Sequence, residues 1–182
     1  MWAKNKQPGF TIVELLIVIV VIGILAAITI VAYNGIQQRA RDSKRTDDIA
    51  KIARALHIWS LDTGKTFQEM NAGNSTPANG FFDASYSATP SVQTVLETGN
   101  YLPRNVNDPL RASSTDNTRW HYMLVPCTSD TSDNRRVVMT ELENPPAQTV
   151  AQQISAAGCN HAQIATYTTT YKMNYVRIAD AR

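Results

Sequence analysis

The chain reads as an α+β protein. A long N-terminal helix, membrane-spanning in its first half and amphipathic in its second, is expected to pack on a small antiparallel sheet. Three observations predict this. Residues 9–33 form one apolar run, GFTIVELLIVIVVIGILAAITIVAY. Behind it, Ile49, Ile52, Ala53, Leu56 and Trp59 recur at helical spacing. Further on, short segments alternate aromatic and β-branched residues between clusters of turn formers.

The apolar run comes first in the chain and dominates it. From Leu15 to Val31 the single polar side chain is Thr29. Crossing lipid hydrocarbon takes about 20 apolar helical residues, and the run meets that length. A helix buried in a soluble core would keep a polar face near a 3.6-residue period, whereas this one is apolar all round. Glu14 is the exception. A carboxylate in a spanning segment is costly, by about 2.5 to 3.5 kcal/mol at the centre and less near an end. Either Glu14 stays hydrated at the interface, or its partner comes from another chain.

The residues Gly9-Phe10-Thr11-Ile12-Val13-Glu14, with a short basic leader before them and the apolar run behind, resemble the N-terminal signal of type IV pilins and pseudopilins. The resemblance implies a pilin fold and a set of processing steps. A prepilin peptidase on the cytoplasmic side would cut between Gly9 and Phe10 and methylate Phe10 as the new N-terminus. Glu14 would then pair with the N-terminal amine of a neighbouring subunit as the helix enters a filament. Many family members carry proline where this chain has Val31, so no kink is expected there.

These readings divide the chain into a cytoplasmic leader (1–9), a transmembrane or filament-core helix (10–33), the amphipathic second half of that helix (34–64) and an extracytoplasmic head (65–182). The leader has no apolar region of its own and is not an ordinary secretory signal. Two of the 17 basic residues, Lys4 and Lys6, lie in it, and without them basic and acidic residues balance at 15 each. A neutral mature chain gives no general electrostatic case for nucleic acid. Counting basic residues on either side of the apolar run would place the C-terminal side in the cytoplasm. The leader motif and the two downstream cysteines point the other way, and the head is assigned outside.

The helix is expected to stop at Thr63-Gly64. Gly35 would loosen it by roughly 1 kcal/mol relative to alanine. Arg39, Arg41, Asp42, Lys44, Arg45, Asp47 and Asp48 read as a solvated stretch; contact with lipid head groups or acidic neighbours, or with DNA, is the sharper alternative. Interleaved aspartates weaken a phosphate stripe. Residues 65–91 read as a long loop pinned by Phe81, Phe82 and Tyr86, in which Asn74-Ser75-Thr76 fits a glycosylation acceptor. Ser91 to Thr98 reads as a short helix.

The Tyr101-Leu102-Pro103 turn and the following Asp108-Pro109 resemble the segment before the first strand in major pseudopilins and in many pilins of simpler build. The Trp-Gly and compact turn that often follow are replaced by Leu110-Arg111-Ala112-Ser113, so a calcium site is not carried over. Asp116, Asp130 and Asp133 offer oxygens, but such residues usually form turns. Strands are expected at Arg119–Val125, Arg135–Leu142 and Ile164–Ile178, with turns at Ser129–Asn134 and near Asn174. A helix would lie between the last two strands, with Pro146 in its first turn and Gly158 at its end.

Cys127 and Cys159 are the two cysteines. In an extracytoplasmic head they would form a disulfide, closing a loop of about 30 residues for about 3 to 4 kcal/mol. The rival is a zinc site with His121 and His161, whose Cys-x-His spacing is unusual for structural zinc. No enzyme signature occurs, no cofactor is expected, and His57 reads as the rim of the apolar stripe.

The reading that follows is a structural, non-enzymatic subunit of a type IV pilus serving adhesion, motility or DNA uptake. Its expected partners are further copies of itself, the peptidase, the assembly platform with minor pilins, and membrane lipid. It would be single-pass in the membrane, then part of a surface filament. The alternative is a pseudopilin of a type II secretion or competence machine.

Overall fold

A computed structural model describes residues 9–71, 80–82, 91–110, 121–127, 134–160 and 164–180. The first helix, α1 (Ile12–Thr63), ends at Gly64, whose φ of +68° suits a glycine closing a helix. A short 3₁₀ turn (Phe67–Asn71) follows, then β1 (Gly80–Phe81), α2 (Val92–Thr98), β2 (Met123–Pro126), β3 (Arg135–Thr140), α3 (Val150–Ala156), α4 (Ile164–Thr169) and β4 (Tyr175–Asp180). The chain divides into two compact units, Met1–Arg39 and Ala40–Arg182.

The described part of the first unit is α1 from Ile12 onward, preceded by residues 9–11. Its large apolar side chains from Ile12 to Tyr33 are exposed on every side, and no stretch of the apolar window is buried. By length and composition this helix can cross a membrane.

The second unit is built around a four-stranded sheet in the order β1-β2-β3-β4, with every neighbouring pair antiparallel. Side chains alternate across it, as the two-residue period of a strand requires. Tyr122, Leu124, Val138 and Ala179 face one way and join the α1 stripe of Ile49, Ile52, Leu56 and Trp59. Met123, Val125, Val137 and Met139 face the other way, onto α3, α4 and the Cys127–Cys159 disulfide. A central sheet covered on both faces gives two cores.

Several boundaries differ from the sequence reading. Residues 164–169 are helix, not strand. Their threonines bond back to carbonyls one turn earlier, Thr168 to Ala165 at 3.0 Å and Thr169 to Ala165 at 2.8 Å, and one face buries Tyr167. Packing there overrides β-propensity. The third helix starts at Val150 rather than at Pro146, because Thr149 and Gln152 form a reciprocal capping box. Asn174 does not turn a hairpin: β4 pairs with β3 across the α3–α4 excursion, and the Asn174 side chain lengthens that ladder by bonding both Leu142 N–H and its carbonyl. The loop after α1 contains the 3₁₀ turn and β1, where Phe82 is fully buried. Trp120, Tyr86, the side chain of Phe81, the Asn74 triplet and the turn around Ser129 lie outside the described residues.

Candidate functional site

Two parts of the chain carry chemistry. The first is the start of α1. Gly9 and Phe10 precede the helix, and Phe10 is 90% exposed. A Cβ added at Gly9 would meet nothing within 4 Å among the described residues, so no packing among them calls for glycine there. Thr11 caps the helix. Its hydroxyl accepts from Glu14 N–H at 3.2 Å, while Glu14 Oε2 accepts from Thr11 N–H and from Thr11 Oγ1, both at 2.8 Å. This is a capping box with Glu14 at the third helical position. It gives the carboxylate partners within its own chain at the end of the apolar run.

The second part is an ionic cluster in the second unit, within a stretch that composition presents as solvated. That expectation is corrected here: Arg45 is fully buried, and Asp42 and Asp48 are buried beside it. Arg45 donates through Nε to Asp108 Oδ2 at 2.7 Å and through Nη2 to Asp108 Oδ1 at 3.2 Å. Its Nη1 reaches Asp42 Oδ1 at 2.9 Å and Glu143 Oε1 at 3.0 Å. Arg41 clamps the same Glu143 with two bonds of 2.6 and 2.7 Å. Asp42 also accepts from the backbone N–H groups of Glu143 and Asn144. One turn on, Asp48 accepts from Tyr122 Oη at 2.7 Å and from Lys44 at 2.5 Å.

The cluster's electrostatics follow from this geometry. Burial works against the Arg45 charge, but the carboxylates of Asp108, Glu143 and Asp42 outweigh it and raise its pKa. The Arg41 guanidinium, helped by Arg45, holds the Glu143 carboxyl below its ordinary value. Burial, then the hydrogen bond to Asp48, pushes the Tyr122 phenol up. The acidic groups thus converge on guanidinium, and among the described residues no cluster of His, Cys, Asp or Glu suits a metal ion. Two segments distant in sequence, 107–110 and 141–144, are thereby bolted to one helix. Sequence marks Asp108-Pro109 as a turn but carries no signal pairing it with a residue 63 positions earlier.

The other candidate residues fall elsewhere. Cys127 and Cys159 are joined, with Cα atoms 4.9 Å apart, which leaves no thiolate for zinc. His57 lies on α1 and donates through Nδ1 to the Asp180 carbonyl at 2.7 Å. Asp116, Asp130, Asp133 and His161 lie outside the described residues.

Comparison with known proteins bears on the start of α1 and on the chain as a whole. The family model described as the prokaryotic N-terminal methylation motif matches residues 4–30, a span that includes Gly9, Phe10 and Glu14. The type II secretion system core protein G of Aeromonas hydrophila is 30% identical over 109 residues, 58% of this chain and 69% of that protein. Its Vibrio cholerae counterpart is 31% identical over 112 residues, 60% of this chain and 69% of that protein. The Escherichia coli (strain K12) counterpart is 39% identical over 62 residues, 34% of this chain and 43% of that protein. No solved structure matches the chain.

Proposed function

The chain belongs to the family of the type II secretion system core protein G, a pseudopilin family akin to the type IV pilins, and we propose that it is a structural subunit of a secretion pseudopilus rather than an enzyme. The observation that carries this reading is the start of α1: an exposed Gly9-Phe10 pair, then Glu14 at the head of a helix apolar on every side. A peptidase facing the cytoplasm cleaves after Gly9 and methylates Phe10. The freed amine of one subunit meets the Glu14 carboxylate of the next, which exchanges its capping contacts for a charge-assisted bond in an apolar setting. The exposed helix sits in lipid first and in the filament core afterwards, and the second unit is displayed outside the membrane.

Intact mass of the protein from native membranes tests the processing steps. Loss of residues 1–9 with the gain of one methyl group is expected; a chain still starting at Met1 would remove the filament reading. Glu14→Ala should be cleaved but assemble poorly, and normal filaments from that variant would sink the ion-pair step. A surface pilus is the second reading, favoured by the sizeable head and its disulfide. Deleting the gene separates the two: a pseudopilin's loss traps secreted enzymes inside the cell, whereas a pilin's loss removes filaments from the sheared fraction.

A further inference from the structure

Strand β4 is an edge of the sheet, and its outer row of backbone groups is engaged at the two ends. At one end the amide of Gln153, on α3, stands in for a neighbouring strand: its Oε1 accepts from Val176 N–H at 3.1 Å and its Nε2 donates to the Asn174 carbonyl at 3.0 Å. At the other end His57 Nδ1 donates to the Asp180 carbonyl at 2.7 Å. In an antiparallel ladder alternate residues turn both backbone groups away from the partner. These bonds therefore identify Val176, Ile178 and Asp180 as the outward set. Four groups remain along that row: the Val176 carbonyl, both groups of Ile178 and the Asp180 N–H. None has a hydrogen-bond partner among the described residues.

The order of those four groups matches what an added strand of about five residues offers, with one residue exchanging two bonds with Ile178 and its next-but-one neighbours taking one each. They border an open groove of about 290 Å³ between β4 and α1, lined by Arg54, His57, Arg177, Ile178 and Asp180 together with two small α1 residues, Ala50 and Ala53. The small residues leave room beside the edge. Arg54 and Arg177 are exposed, and among the described residues lining the groove they share it with one carboxylate, Asp180, so the rim favours a negatively charged visitor. We propose that this open stretch of β4, between Gln153 and His57, takes an extended acidic segment of a partner protein as a fifth strand. The backbone supplies the docking bonds and the two arginines select for acidic side chains. This surface is distinct from the start of α1 and holds whether or not the chain enters a filament.

The test uses the full chain in detergent micelles and a fluorescein-labelled peptide amide, Thr-Glu-Val-Glu-Val-Glu-Thr, read by anisotropy. Saturable binding is expected, weakened at least about tenfold when lysine replaces each glutamate or in Arg177→Glu. Arg177 is exposed, so that variant should unfold like the parent. The glutamates reach the Arg177 face only in the register that sets the valines opposite the outward residues of β4, so methylating both valine backbone nitrogens should abolish binding while leaving the peptide's charge intact. Equal binding of the methylated peptide would mean ion pairing without a strand and would overturn the proposal, as would no binding at all. A dimer seen by light scattering that the peptide fails to displace would give the edge to a second copy instead, and would equally overturn it.

Discussion

Arg45 is fully enclosed and holds three carboxylates. Its removal leaves Asp108, itself without exposed side-chain surface, as an uncompensated buried charge. Arg45→Met should therefore destabilise the second unit by about 3 to 5 kcal/mol, measured by urea unfolding followed through the buried Trp59. Lysine at position 45 should rescue little, since one ammonium cannot make the forked contact with Asp108. Removing both partners, Arg45→Met with Asp108→Leu, should recover much of the loss, because replacing a buried pair by apolar groups is often neutral. The pH dependence has a definite sign. Glu143 has a folded-state pKa below its unfolded value, so its contribution is present above about pH 4.5 and disappears as pH falls through the folded value. Unfolding midpoints should drop on acidification below about pH 5, and Glu143→Gln should flatten that part of the profile. A profile unchanged by Glu143→Gln would remove Glu143 as the responsible group.

At the scale of elements, the disulfide fastens the end of β2 to the segment after α3, which also meet through Asn160 N–H on the Cys127 carbonyl at 2.9 Å. The closed loop spans 32 positions, so Cys127→Ser with Cys159→Ser should cost about 3 to 4 kcal/mol, read from the same urea transitions in non-reducing buffer. A smaller lever is the cap of α3: Thr149→Ala should cost about 1 kcal/mol and speed amide exchange first in Val150–Ala156. These elements were unequally legible in the sequence. The α1 stripe was plain, since its period repeats over three turns and each of its residues is buried. So was the inward and outward alternation of β2. By contrast, Ile164–Thr169 alternates like a strand yet folds as a helix, because the seat of Tyr167 in the second core is a tertiary fact. The ionic cluster was hidden for a related reason. Charge on a helix normally signals solvent, and only the arrival of Asp108 and Glu143 from distant segments makes Arg45 an interior residue.

At the scale of the whole molecule, the division of labour between the two units leads to one more expectation. Every residue of both apolar cores lies at or beyond Ile49, and the ionic cluster begins at Arg41. The large apolar side chains from Phe10 to Tyr33, in contrast, are exposed. Burial of that helix must therefore come from outside the chain, first from lipid and, in the proposed function, from other copies. The folded stability of the second unit should owe it little. A fragment beginning at Gly35 keeps Arg41, Arg45, both cores and the disulfide. It should be soluble without detergent, monomeric by light scattering, and unfold within about 1 kcal/mol of the full chain in micelles, since it loses only surface. The full chain should stay with the detergent phase. A fragment that precipitates, or that unfolds without a cooperative transition, would mean that residues 9–34 contribute to the fold of the head as well as to its anchoring. The exposed row of isoleucines, leucines and valines would then need an intramolecular explanation in place of the membrane.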